Sequence, residues 1–511
     1  MNENHIMFKL FKSFELNNIY YLHFKSNTNL ANSFSGKGDF DVLVDKNEII
    51  KVENLISKNN GKRHNPIQIG DYAGVDNWLV FDDSDGTIYH LHLHYQLVTG
   101  KKFVKDYVIP WNELLFSTRV KDPLYGIYVT NPNVELLLLA FRSVLKAGFF
   151  DYLLKIIGCY KLGVDMHKEW EDMYHKSSPL EMKRIIGLIC PEHASELEQI
   201  MLKEKLTSHD YLWLHRTIRS TMKVHRRFSS VKANLLTLVY QAEDYFRKRW
   251  NHYMRGLIIT RKVSLQGGLI LAFVGIDGAG KSTISNEICK WIMHGKIEAK
   301  RFYMGAGDGS TTFFASIVKS LIKYNHNGKK AHLELNHNKS PQKKSENKIS
   351  FFDNPIKFLK SCTKIRMINS IQKNNYHKIK RMYHYKLNGG ISVLDRWPQI
   401  EFDRRNDGAK IVTYRDVMKE NWYLRKKIKD EQQYLNIVKT IKPDIIFRLN
   451  ISLDTCLERK PEENTDRDAF MSKLDELKQI NFQGARIVEI DAEQPYDEEL
   501  LLIKQILWKY I

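Results

Sequence analysis

The chain has 511 residues, 43% of them hydrophobic and 27% charged, with a formal net charge of +20. That length exceeds one core, so two or three domains are expected. The apolar share argues against a disordered chain, and the positive balance points to anionic partners such as nucleotides, phosphosugars, nucleic acid or an acidic membrane surface. Five cysteines without CxxC or Cys/His ligand spacing argue against a disulfide framework or a zinc site. With no long apolar run and no signal-peptide core, this implies a soluble cytoplasmic protein, at most peripheral to a membrane.

Ile19–Phe24 reads as a short strand, followed by GKGDFDVLVDKNE at Gly36–Glu48. Asp39 and Asp41 flank Phe40 ahead of the strand-forming Val42–Val44. Residues two apart on a strand face the same way, so both carboxylates project to one side and could jointly hold a divalent metal, as nucleotidyl transfer requires. Further on, Leu91-His92-Leu93-His94-Tyr95 continues an alternating series of His90, His92 and His94; His90 and His94 read as the polar face of a strand. The Gly-Asp-hydrophobic-Asp pattern and this later strand together resemble bacterial nucleotidyltransferase-like proteins. The resemblance implies an α+β domain over 1–128, with Asp39 and Asp41 as metal ligands. Where the family places a third carboxylate this chain has His92, which cannot bridge two Mg2+ ions. The family's upstream Gly-Ser turn is matched only in part, by Lys25-Ser26-Asn27. Active transfer and a fold kept for binding or scaffolding both remain open.

From about Asn131 the pattern becomes helical, through Asn133–Ala147 and Phe149–Cys159, with another helix starting at Pro179 after Ser178. This resembles the helical extension that follows such cores and is assigned, with a linker, to 129–262. Val231, Leu235, Leu238, Val239, Ala242 and Phe246 recur at steps of three and four, as in an amphipathic helix. Lys223, Arg226, Arg227, Arg247, Lys248 and Arg249 surround it; a solvated outer face is the first reading of this collar, contact with a polyanion or membrane headgroups the second. Arg255–Gly268 reads as the link to the next domain.

Leu269–Val274 is an apolar strand, Gly275–Thr283 reads GIDGAGKST, and Ile284–Met293 has helical periodicity. Strand, glycine-rich turn and helix stand in the order a phosphate cradle needs. The glycines let backbone N–H groups curl round phosphates, Lys281 offers an ammonium, and the Ser282 hydroxyl can ligate Mg2+. Arg301–Met304 reads as the second strand, running into Gly305–Ser310, and Phe313–Tyr324 as a helix. Residues 325–350, rich in Lys, Asn, His and Ser, are expected to be a disordered insertion. Ile391–Leu394 is a strand ending in Asp395-Arg396-Trp397-Pro398. An acid at that strand end can hold Mg2+ or its water shell, and the adjacent Arg396 can grip an acceptor phosphate. Pro443–Leu449 leads through Asp454 into a helix over Thr455–Lys460, and Ile487–Ile490 precedes a closing helix over Asp497–Tyr510.

In this order GIDGAGKST, LDRW, PDIIFRLNISLDTCLERK and IVEIDA resemble the thymidylate kinase family, over 263–511. The resemblance implies a P-loop, doubly wound parallel α/β sheet and transfer of a phosphoryl group from ATP with Mg2+. It implies that Gly275, Gly278, Gly280, Lys281, Ser282 and Thr283 take the nucleotide phosphates, that Ser282 and Asp395 hold the metal, and that Arg396 meets the acceptor phosphate. Asp277 would meet an acceptor hydroxyl. Gly278 stands where one subgroup carries arginine, so Arg459, Lys460 or Arg467 from the lid would neutralise the transferring charge. The family's arginine turn after the second strand is replaced by GAGDGST, and its S-x-x-A-Y-Q stretch by Pro398–Arg405. Both changes fall on the acceptor side. Fusion of the two modules resembles proteins of bacterial surface-polysaccharide assembly, which implies a sugar or polyol acceptor, with a nucleoside monophosphate as the other class. The preferred reading is an ATP- and Mg2+-dependent kinase for a small acceptor, with nucleic acid not expected as a partner. One alternative is a nucleotidyltransferase acting through the first domain, with the P-loop domain as ATP-binding regulator. Another is a nucleotide-gated protein that binds a polyanion or membrane.

Overall fold

In the first part of the chain, strands with apolar residues at every second position build a mixed sheet. The computed structural model describes residues 5–67, 71–147, 164–254, 257–305, 355–403, 407–459 and 467–511. The expected helices Phe149–Cys159 and Phe313–Tyr324, most of the Gly305–Ser310 turn, the 325–350 insertion and Lys460 lie outside them. The chain forms two compact units, one of Met1–Arg255 with Thr260–Leu265, the other of Gly256–Ile259 with Gln266–Ile511. Among the described residues no helix is long and apolar enough to cross a membrane.

The strands of the first unit are β1 (Tyr21–His23), β2 (Asp39–Val44), β3 (Gly61–Asn65), β4 (Val75–Phe81), β5 (Ile88–His94), β6 (Leu97–Thr99), β7 (Tyr107–Ile109), β8 (Val120–Lys121), β9 (Tyr128–Val129) and β10 (Val263–Ser264). Among the described residues the main sheet runs β10-β3-β4-β5-β2-β1-β9-β8, with β6 and β7 as a separate pair. β2 and β5 are parallel, in a register that sets Asp39 beside His90 and Asp41 beside His92. On one face Phe40, Val42, Val44, Tyr89, Leu91 and Leu93 join a core with Met7, Phe11 and Phe14 of the Ile6–Leu16 helix. Alternation therefore puts Asp39, Asp41, His90, His92 and His94 on the opposite face.

That opposite face is also covered. Leu22, Phe24 and Leu43 share a second core with Val134, Leu137, Leu138 and Phe141 of the Pro132–Lys146 helix. The helix starts where expected, because Asn131 caps the N–H of Asn133 at 2.9 Å and Pro132 suits the first turn. Sheet and helical region thus belong to one unit. The histidines predicted to form a polar strand face are instead under protein, with His90 and His94 only 2% and 6% exposed.

The Ser230–Tyr253 helix forms, but its periodic stripe is not covered: Val231, Leu235, Leu238 and Phe246 are exposed. Its basic collar is partly paired internally, by Arg247–Glu243 and Lys248–Asp244 one turn apart. Arg226 donates to the Tyr107 hydroxyl at 2.7 Å.

In the second unit β11 (Ile270–Gly275), β12 (Ala299–Tyr303), β13 (Ile391–Asp395), β14 (Ile445–Asn450) and β15 (Arg486–Asp491) form a sheet in the order β12-β13-β11-β14-β15. Every pairing is parallel. The three inner strands β13, β11 and β14 are apolar almost throughout because both their faces are buried, whereas the edge strands β12 and β15 carry charged residues. Ile270, Ala272, Val274, Leu394 and Ile446 cluster with Ile379, Met382, Tyr434 and Val438, from the helices Pro355–Leu387 and Trp422–Thr440. The Lys281–His294 helix packs on β11, β12 and β13.

The Pro355–Leu387 and Trp422–Thr440 helices had no reading from sequence, since their buried faces are unusually polar. Asn369, Gln372, Asn375 and Glu431 are all buried. The Glu431 carboxylate accepts from the backbone N–H groups of Lys410, Ile411 and Val412 at 2.7–3.0 Å and from Gln372 at 2.5 Å. It thereby fixes the segment that follows Asp407.

Candidate functional site

The phosphate loop joins β11 to the Lys281–His294 helix. Gly278 and Gly280 hold left-handed φ of +89° and +81°, and a Cβ at Gly275 would lie 2.8 Å from the Leu449 carbonyl oxygen, so the turn depends on glycine at these positions. Gly280 caps the helix without a side-chain hydrogen bond, leaving first-turn N–H groups directed at the loop. Lys281 is buried, and its Nζ donates to the Ile276 carbonyl at 2.6 Å. Loss of hydration, and then the neighbouring Arg396, push the ammonium down to about 8 against the pull of Asp277 and Asp395.

Asp277 is clamped by three cations: Arg396 at 2.9 Å, Lys473 at 3.0 Å and Lys281 at 3.9 Å. Burial alone would raise its carboxyl, but the charges of Lys473, Lys281 and Arg396 outweigh it and hold the group well below the usual carboxylate range. Its backbone carbonyl accepts the Cys456 thiol at 3.1 Å, which packs the Leu453–Arg459 helix onto the loop.

Asp395, at the end of β13, is 1% exposed. Its Oδ2 accepts from the Ser282 hydroxyl and from Arg301 at 3.1 Å. Its Oδ1 is buried with no hydrogen-bond partner among the described residues. A serine hydroxyl and a carboxylate with one oxygen unclaimed, beside a phosphate loop, are a hard-oxygen donor set that fits Mg2+. Arg396 adopts φ +75°, which is costly for a residue with a Cβ; its N–H donates to the Phe273 carbonyl at 3.0 Å, and its guanidinium reaches Asp277.

Of the lid residues, Arg459 donates to the carbonyl of Ala492 at 2.8 Å and lies 3.5 Å from that of Gly278. Arg467 is exposed at the first residue of the Arg467–Gln479 helix, and it is Lys473 of the same helix that reaches the loop. Thr283 is exposed on the first turn. Lys473, Arg301 and Cys456 had no assigned role from sequence. Only Arg301 had a readable signal, as a cation on the strand next to Asp395.

The acidic pair of the first unit separates. Asp41 lines a cavity of about 350 Å³ and Asp39 does not; the Asp39 carbonyl accepts the Ser33 hydroxyl at 2.9 Å. Oδ1 of Asp41 takes Lys25 Nζ at 2.7 Å, with His94 Nε2 at 3.2 Å and His92 Nδ1 at 3.4 Å. Burial would raise this carboxyl; the Lys25 charge and the hydrogen bonds of His92 and His94 overcome it and keep it well below its ordinary range. Burial pushes His94 down to about 4, so its neutral ring donates Nε2–H to the carboxylate. The same cavity is lined by Lys25, Lys105, Arg142, Lys146 and Lys262, with Asp41 as its one acid among the described residues. A carboxylate already matched by a lysine, in a ring of cations, does not fit a divalent metal. The structure thus does not bring Asp39 and Asp41 together on this cavity as the expected pair of metal ligands, and Lys25 is already bound to Asp41.

No protein-family model matches the chain. It is 26% identical over 235 residues to YghR of Escherichia coli strain K12, described as an uncharacterized ATP-binding protein; the match covers 45% of this chain and 83% of the relative. It is 24% identical over 235 residues to YghS of the same strain, also described as an uncharacterized ATP-binding protein, covering 45% and 89%. Among solved structures, the deoxyadenosine kinase of M. mycoides with bound dATP overlaps 47% of this chain and 98% of its own, at 14% identity and a TM-score of 0.26. The same kinase with dCMP and dCDP gives 16% identity and a TM-score of 0.25 over the same shares. At those scores the structural likeness carries no weight for fold or activity.

Proposed function

We propose that the second unit is an ATP-dependent phosphotransferase acting on a small hydroxylated or phosphorylated acceptor. The observation that carries this reading is the strand-loop-helix from Ile270 to His294, with the Ser282, Asp395 and Arg301 cluster beside it. The loop N–H groups would hold the β- and γ-phosphates, and Lys281 would place its charge against their oxygens. Ser282 and Asp395 would hold Mg2+, which when bound neutralises phosphate charge. Arg301, 3.1 Å from Asp395 Oδ2, fixes the direction of that carboxylate. Arg396 is poised to grip an acceptor oxygen, with Asp277 holding its guanidinium or meeting an acceptor hydroxyl, and Arg459 lies over the loop where charge develops during transfer. The description of YghR and YghS as ATP-binding proteins supports ATP as the nucleotide. Resemblance to polysaccharide-assembly proteins favours a sugar or polyol over a nucleoside monophosphate.

Nucleotidyl transfer by the first unit has less support, because Asp41 is matched by Lys25 and His92 stands at the third carboxylate position. The test is an ATP-consumption screen over sugars, polyols, their phosphates and nucleoside monophosphates, with Lys281→Ala and Asp41→Ala run in parallel. Turnover should fall by at least ~10²-fold in Lys281→Ala and persist in Asp41→Ala; the reverse pattern would overturn the proposal.

A further inference from the structure

One cavity of the first unit gathers more positive charge than the acids lining it match among the described residues. Lys25 and Lys105 lie inside the cavity beside Asp41, with Arg142 and Lys146 entering one turn apart from the Pro132–Lys146 helix. Two cations four residues apart on one helix face repel each other. Placing both at a cavity that two loop lysines, Lys25 and Lys105, already line is unfavourable unless an anion joins them. Lys146 keeps part of its side chain in solvent and is still lowered, by partial loss of hydration and then by Arg142, Lys105 and Lys25. Lys105 is lowered by burial and by the same neighbours.

Two further groups lining the cavity are unsatisfied. The Thr99 hydroxyl and His94 Nδ1 are buried without a hydrogen-bond partner among the described residues. Phe24, Leu97, Ile109 and Leu138 supply apolar wall, so the cavity suits a charged group attached to an organic body rather than a bare inorganic ion. Its volume of about 350 Å³ is in the range of small-molecule pockets.

We propose that this cavity binds a phosphorylated small molecule directly through Lys25, Lys105, Arg142 and Lys146, without a divalent metal, and that Asp41 is the internal counter-charge that orders Lys25 while the site is empty. The Thr99 hydroxyl would donate to a ligand oxygen, and the lone pair on His94 Nδ1 would accept from a ligand hydroxyl. The inference stands on the first unit alone and does not depend on the activity proposed for the second. It makes a prediction opposite to that of a metal site. Removing the Asp41 charge frees Lys25 for the ligand and removes a repulsion, so Asp41→Asn should tighten binding, whereas a metal ligand converted to an amide should lose it.

The experiment is calorimetric titration of the full chain carrying Lys281→Ala, in EDTA, with three probes: pyrophosphate, ATP and a hexose phosphate. At least one probe is expected to bind at one site per chain, and the preferred probe identifies the organic body. Adding Arg142→Gln should weaken that binding about tenfold or more, and adding Asp41→Asn should strengthen it roughly tenfold. Lys105→Gln serves as a second cation variant if Arg142→Gln does not fold, with thermal melts as the check. Binding of none of the three in EDTA, binding only with Mg2+, or weaker binding in a folded Asp41→Asn protein would each overturn the proposal.

Discussion

Lys281 gives the sharpest test of the phosphate site, because its charge is conditional. In the ligand-free protein its ammonium is pushed down to about 8, whereas an ammonium held by phosphate oxygens should titrate well above that. ATP affinity should therefore be near its maximum at pH 7, where roughly nine in ten molecules carry the proton, and fall as pH rises through the ligand-free value. At pH 9 only about one in eleven remains protonated, so Kd should rise about tenfold between pH 7 and 9, close to 1.4 kcal/mol. The assay is a fluorescent-nucleotide titration from pH 7 to 9.5 on wild type and Lys281→Arg, whose guanidinium does not titrate in this range. Lys281→Arg should give a flat profile. Asp277 sits 3.9 Å from Lys281 and raises it, so Asp277→Asn should move the fall at least about one pH unit lower. A wild-type Kd that stays constant to pH 9.5, or a parallel fall in Lys281→Arg, would refute the reasoning.

Three other perturbations follow from buried groups. Glu135 is buried, and its carboxyl is raised from 4.5 to about 7, by loss of hydration against the hydrogen bonds from Asn27. A raised folded-state value means its contribution is fully present below about 4.5 and lost as pH climbs to about 7. Glu135→Gln should therefore gain about 3 kcal/mol on wild type between pH 4.5 and 7.5, measured by urea unfolding; a pH-independent difference would contradict it. Glu431→Ala strands the N–H groups of Lys410, Ile411 and Val412 and should cost about 3–5 kcal/mol in the same measurement, and a loss under 1 kcal/mol would show that the segment relaxes. Asp395→Asn should leave the melting temperature within a few degrees while lowering kcat by at least ~10²-fold and weakening the response to Mg2+. Unchanged turnover would remove Asp395 from the site.

Several features were legible because they are local. The phosphate loop is contiguous, and its glycine torsions and helix start follow from neighbouring residues. Asp395 was readable because a strand end next to the loop is fixed by an apolar run and its boundary. Alternation put Asp39 and Asp41 on one face of β2 before any partner was known. The Ser230–Tyr253 helix shows the limit of such reasoning: the three-and-four spacing gave the helix, but Leu235 and Phe246 are exposed, since periodicity describes a face and not what covers it.

What tertiary structure alone decided is the charge around each group. Lys473 reaches Asp277 across 196 residues of chain and Arg301 reaches Asp395 across 94; nothing near Lys473 marks its partner, and Arg301 points to one only once its strand is known to lie beside β13. The acidic pair made the same point in reverse. Sequence placed two carboxylates as if for a metal, and packing set Lys25, Arg142 and Lys146 around only one of them. Backbone conformation is encoded by a few adjacent residues, so motifs survive reading one residue at a time. The potential at a carboxylate is a sum over every charge folded within several ångströms, and only the fold determines which charges those are.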